Sequence, residues 1–138
     1  MHAFRVLEFD RILQRLVTFC ETELGAAKAS ELAPSFAEET VVRLLGETTD
    51  ADEFFNKLSP PGFEGISDDR AELKRAAKGG VLDAKEVYRT GSALRTARNW
   101  KAALKGQAEN FPHLAPRVEF LFEDRKLEER ILDSVQSD

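Results

Sequence analysis

Apolar residues recur at intervals of three and four along most of the chain, and no stretch reads as part of a strand-rich sheet. Ile12, Leu13, Leu16, Val17 and Cys20 share one stripe and predict a first helix over about Asp10 to Glu21. Thr22 is placed to cap a shorter helix through Leu24, Ala27 and Leu32, which Pro34 terminates. The alternative is one longer helix bent at Gly25. Ser35 and Glu38 then have capping-box spacing. They open a third helix through Val41, Leu44, Leu45, Phe55 and Leu58, with its apolar side expected to face a core.

Residues 59–69, "SPPGFEGISDD", break the periodicity with two prolines and two glycines and read as an internal connector. Ser67, followed by Asp68 and Asp69, gives the next helix an acidic start, with Leu73 and Ala77 as its inner face. Gly79 or Gly80 supplies the left-handed position that ends this helix, and Lys78 sits at its negative end. Val81 and Leu82 are expected to re-enter the core. Asp83 and Glu86 then form a reciprocal cap on the longest helix, about Ala84 to Lys105, which Gly106 stops. Its inner positions are Val87, Gly91, Leu94 and Leu104. Two further helices are expected, around Leu114 to Phe122 and around Arg125 to Val135, the latter through Leu127, Ile131, Leu132 and Val135. The pattern therefore predicts an all-α bundle of about six or seven helices in a single domain over residues 1–138.

Charge adds a second pattern. The formal net charge is −5, but Arg70 to Lys105 hold ten Lys/Arg against three Asp/Glu, a local balance of +7. Arg95, Arg98, Lys101 and Lys105 recur at helical spacing and are expected on one outer face, with Lys74, Arg75 and Lys78 on the preceding helix. Two readings stand. This face contacts phosphates, or acidic neighbours in the fold neutralise it. The glycines between the two helices do not make a phosphate loop: the lysine precedes them, no hydroxyl follows, and a helix rather than a strand leads in.

Other chemistry is sparse. His2 and His113 have no partner at metal-ligand spacing, and Cys20 on an apolar stripe reads as a structural thiol. The pairs Glu38–Glu39, Asp68–Asp69 and Glu128–Glu129 read as caps or exposed faces. Tyr88 and Trp100 lie on the basic helix, where packing is the commoner role for a lone tryptophan. No catalytic, metal or cofactor-binding residue is expected in these 138 residues. The single cysteine excludes an internal disulfide and, with no signal-like or membrane-length apolar run, suggests a cytoplasmic protein.

Four stretches together carry a resemblance: "LEFDRIL" at 7–13, "TELG" at 22–25, "GISDDRAELKRAAKGGVLDAKEV" at 65–87 and "LRTARNWKAAL" at 94–104. The sequence resembles the amino-terminal region of the bacterial MutS-II family, paralogues of the mismatch-repair ATPase MutS, over almost its whole length. The resemblance implies the first part of a helical core and lever region, within a longer protein that forms dimers. That protein would carry an ATPase using ATP and Mg²⁺, and usually an endonuclease domain. It would bind branched DNA, restrain recombination and, in some members, act on collided ribosomes and so contact rRNA. Phe36-Ala37-Glu38 matches the Phe-x-Glu of mismatch-reading MutS proteins, but that motif belongs to a domain MutS-II proteins lack. The reading is a binding or structural module whose candidate nucleic-acid contacts are Lys74, Arg75, Lys78, Arg95, Arg98, Lys101 and Lys105. The main alternative is a docking or dimerisation module without nucleic-acid contact. A self-contained nuclease, which needs a convergent carboxylate cluster and a metal, is the third.

Overall fold

The structure, a computed structural model, describes residues 8–135. It is an all-α bundle with seven helices and no strand among the described residues: α1 Phe9–Thr18, α2 Glu23–Ser30, α3 Glu38–Lys57, α4 Arg70–Ala77, α5 Ala84–Leu104, α6 Ala115–Glu119 and α7 Arg125–Val135. The chain folds as two compact units, which meet in sequence between Pro34 and Ser35. His2 lies outside the described residues.

In the first unit, α1 and α2 remain separate helices, broken at 19–22 rather than bent at Gly25. The Thr22 hydroxyl accepts the Gly25 N–H at 3.0 Å, the expected cap. Cys20 is half-buried and its Sγ donates to the Leu16 carbonyl at 3.6 Å.

The second unit is organised around α5. Its Asp83–Glu86 capping box forms: the Glu86 N–H donates to Asp83 Oδ1 at 2.8 Å, and the Asp83 N–H to Glu86 Oε2 at 2.9 Å. The close of α4 is equally regular. Gly79 adopts φ 81°, its N–H donating to the Ala76 carbonyl while that of Gly80 reaches the Arg75 carbonyl, which is the Schellman arrangement. A Cβ on Gly91 would lie 2.7 Å from Ile131 Cγ2 and 2.8 Å from Leu132 Cδ2, so α7 packs on α5 at that glycine.

The core is aromatic. Phe54 is fully buried among Trp100, Leu104 and Phe111, with ring centroids 5.7 Å from Trp100 and 5.3 Å from Phe111. Residues 59–69 have no helix, yet they belong to this core rather than hanging from it. Phe63 stacks on Trp100 at 5.1 Å, the indole N–H donates to the Gly62 carbonyl at 3.3 Å, and the Thr96 hydroxyl donates to the Glu64 carbonyl.

Several expectations are corrected. The Ser35–Glu38 box does not form, because Ala37 occupies the cap position of α3 and Ser35 instead accepts the Ala37 N–H. The apolar stripe of α3 is largely uncovered, with Leu45 62% exposed, while Phe54 and Asp50 are its buried residues. Leu73 and Ala77 are exposed and Val81 is 87% exposed, so the 73–81 segment does not return to the core. In α3 and in 73–81 the apolar residues are where periodicity puts them, but the described residues leave most of them uncovered.

Candidate nucleic-acid interface

The seven candidate cations divide by what they touch. Lys74 and Arg75 lie on α4 and Lys78 caps it, while Arg95, Arg98 and Lys101 lie on α5 and Lys105 caps its end. The expected outer face of α5 is turned toward acids of the last third of the chain. Arg98 grips Glu128 of α7 with both arms of its guanidinium, at 2.8 and 3.0 Å, and Arg95 approaches the same carboxylate at 3.6 Å. Lys101 reaches Glu123 at 3.8 Å. Arg75 bonds Glu86 at 2.5 Å and also the Val81 carbonyl at 3.2 Å. Lys74, Lys78 and Lys105 are exposed, with no side-chain hydrogen bond or salt bridge among the described residues, although the charge of Lys74 acts on Asp68.

Glu128 is the centre of this arrangement. It is only 4% exposed, which departs from its reading as half of a cap or exposed pair. The hydrogen bonds from Arg98 hold its carboxyl below the ordinary glutamate value, against the opposing effect of burial, with Arg95 and Arg125 adding to the field. Arg98, Lys101 and Lys105 do meet along one cleft of about 430 Å³ with Ala115, but Glu119 and Glu123 line it too. A polyanion entering there meets carboxylates as well as cations.

Sequence reasoning missed the long-range polar links. Arg89 of α5 bonds Glu72 of α4 at 3.2 Å, with cation and acid exchanged between the helices relative to the Arg75–Glu86 pair. Asp50, buried in α3, accepts the N–H groups of His113 and Leu114 at 2.6 and 3.0 Å, and its other oxygen lies 3.5 Å from the His113 ring. Burial pushes the Asp50 carboxyl up, but the two backbone donors and the His113 ring outweigh this and hold it low. Glu47 accepts from Arg43 at 2.6 Å and from Arg117 at 2.5 Å. Only the i, i+4 pair, Arg43–Glu47, carries a local signal. Trp100 is a core residue, in line with packing as its expected role, whereas Tyr88 is exposed. Among the described residues no group of three or more His, Cys, Asp or Glu could hold a metal ion, and no helix is long and apolar enough to cross a membrane.

The fold and this surface define a class: an all-α module whose basic helices are cross-linked by acids of the same chain. Compared with known proteins, it is similar to endonucleases named MutS2, among them three from different bacteria. Those of Ruminiclostridium cellulolyticum, Acetivibrio thermocellus and Shouchella clausii are 33%, 31% and 36% identical over 136, 139 and 119 residues. These alignments cover 97%, 97% and 83% of this chain. The chain belongs to the MutS2 (MutS-II) family. It spans only about 17% of the length of the first two relatives. No protein-family model and no solved structure matches it.

Proposed function

We propose that the chain is a helical scaffold segment of a MutS2 endonuclease, docking through uncovered apolar surface on the remainder of that polypeptide. The observation that carries this reading is the outward stripe of α3, where Val42 and Leu45 are exposed in a chain about one sixth as long as its relatives. Apolar side chains clustered on one exposed helix face are a signature of an interaction site. Four of the seven candidate cations already hold acids of the same chain, which favours scaffold over phosphate clamp. ATP and Mg²⁺ binding, dimerisation and endonuclease chemistry would reside elsewhere in the longer protein. The test is capture of the remaining MutS2 polypeptide by this chain and by a Val42→Glu/Leu45→Glu variant. Unchanged helicity with loss of capture is expected; capture equal to wild type would sink the reading.

A second reading is favoured by the three lysines that form no salt bridge among the described residues. Lys74, Lys78 and Lys105 would neutralise phosphates of branched DNA or ribosomal RNA, giving weak, sequence-independent, salt-sensitive binding. Titration of a labelled four-way junction and an equal duplex, at low and physiological salt, tests it. Binding lost in Lys74→Glu/Lys78→Glu/Lys105→Glu supports it, and absence of binding at low salt ends it. Roles in restraining recombination or splitting collided ribosomes belong to the longer protein under either reading.

A further inference from the structure

On a different side of α3 from Val42 and Leu45, a cleft of about 540 Å³ opens against the start of α6. Its size falls within the range of small-molecule sites. Arg43 and Glu47 of α3, Arg117 of α6, Pro112, Pro116 and Phe120 line it. Two features occur together in it. Phe120, the residue that ends α6, is 89% exposed, and Pro112 and Pro116 line the same cleft. In the same cleft, two guanidiniums share a single carboxylate: Glu47 Oε1 accepts from both Arg43 and Arg117. Each arginine uses one nitrogen in that bond, so further donors on each remain for an anion, and the trio carries a surplus positive charge. About half of each arginine side chain is exposed. His113, also on the cleft, lies 3.5 Å from Asp50 through its ring.

We propose that this notch binds an unpaired nucleotide of a single-stranded nucleic acid, the base stacking on Phe120 and the adjoining phosphate bonding Arg43 and Arg117. The inference rests on the nucleic-acid reading above but moves the specific contact away from the lysines and onto residues that reading does not use. The chemistry favours a nucleotide because an exposed aromatic ring and a pair of guanidiniums line one cleft. An aromatic face accepts any base, and guanidiniums match phosphate oxygens in pairs. A duplex offers the phosphates but keeps its bases stacked inside, so it would use only half the site. Strand ends, gaps and looped-out bases are the ligands that fit.

The test uses the 138-residue chain and a fluorescein-labelled dT15, a 15-base-pair duplex, and dT15 carrying one 2-aminopurine. Wild type should bind the single strand more tightly than the duplex and change the 2-aminopurine emission on binding. Phe120→Ala removes an exposed ring, so folding should survive; it should weaken single-strand binding by roughly 5- to 150-fold, the loss of one stacked base, and abolish the emission change. Arg43→Gln should weaken binding and lower the salt slope by about 0.7, the expectation for one phosphate on a single strand. Arg117→Gln should do the same, and Arg43→Gln carries the test if that variant loses helicity. Equal single-strand affinity in wild type and Phe120→Ala would overturn the notch, and if the triple lysine variant then loses binding the phosphate reading survives without it. No single-strand binding at low salt overturns both. Loss of capture of the remaining MutS2 polypeptide by Phe120→Ala, with oligonucleotide affinity unchanged, would assign the notch to protein docking instead.

Discussion

Replacing Glu128 with glutamine is the most direct test of what the basic helix is for. The substitution keeps the side chain's size and one acceptor oxygen while removing its charge. In the native unit Glu128 receives two charge-assisted bonds from Arg98, at 2.8 and 3.0 Å, and lies 3.6 Å from Arg95. Breaking a fully buried pair by removing one partner costs about 3–5 kcal/mol. Here the carboxylate is buried but a third of the Arg98 side chain is exposed, so water can re-solvate part of the orphaned guanidinium. The retained amide oxygen still accepts one bond. A loss of about 2 kcal/mol is therefore expected, near the value of a single bond to a charged group.

Trp100 is the one tryptophan of the chain and sits in the core of the second unit, so its fluorescence follows the unfolding of that unit. Urea melts of wild type, Glu128→Gln, Arg98→Gln and the double variant form a closed cycle. A coupling energy above about 1 kcal/mol is expected for a pair in direct contact. The dependence on pH has a definite sign. Because the Glu128 carboxyl is held low in the folded chain, its stabilisation is present above the unfolded glutamate value of about 4.3 and is lost as pH falls through the folded value. The difference between wild type and Glu128→Gln should accordingly shrink between about pH 5 and pH 3. A coupling near zero, with a gap that does not change with pH, would show that Arg98 is not engaged by Glu128. The basic face would then be free for an external anion.

Three further outcomes test the rest of the second unit. Phe54→Ala empties the centre of the aromatic cluster and should cost about 3–5 kcal/mol, with a red shift of Trp100 emission in the folded state. Gly91→Ala sets overpacking against Ile131 and Leu132, roughly 1–3 kcal/mol, against a gain of about 1 kcal/mol in helix propensity. A thermal melt should show a net loss of about 1 kcal/mol, and a rise in Tm would refute the close contact. Asp50→Ala leaves the His113 and Leu114 N–H groups without their acceptor and should cost about 2 kcal/mol near pH 7. Asp50 is held low, so its contribution is present above pH about 3.9 and fades below it. Urea melts at about pH 7 and pH 3 should therefore show the gap closing.

What the sequence revealed was governed by neighbours three and four residues apart. The Asp83–Glu86 box, the Gly79 stop, the Thr22 cap and the bounds of α7 all follow from local backbone chemistry, and each is present. The MutS-II resemblance, likewise spread along the chain, agrees with the relatives found. What escaped depends on residues far apart. Arg98 and Glu128 are 30 positions apart, and Asp50 and His113 63, so no spacing rule joins them. The connector at 59–69 looked like a linker because prolines and glycines forbid a helix. That composition is silent on whether Phe63 will stack on a tryptophan more than thirty residues away. The face of α3 shows the converse limit: periodicity predicts an apolar stripe, but whether it is core or interface depends on what covers it.

The two basic helices are secured differently, and this bears on how any polyanion would act. α5 is joined to α7 by a buried carboxylate and by close packing at Gly91. α4 has no buried residue, and its links to α5 are the pairs Arg75–Glu86 and Glu72–Arg89 and the hydroxyl of Thr90 on Asp69. These half-buried pairs are screened less than fully exposed ones, yet they too weaken as salt shortens the screening length to about 8 Å at physiological strength. Raising salt therefore loosens the helix that carries Lys74 and Lys78 while it also weakens their attraction for phosphate. The two effects separate at Lys105, which caps α5 and does not depend on α4 for its position. If Lys105→Glu alone lowers both polyanion affinity and the salt slope, the cations act by direct contact. If only reversals on α4 do so, salt acts on the attachment of that helix, and α4 is the element that a ligand would displace.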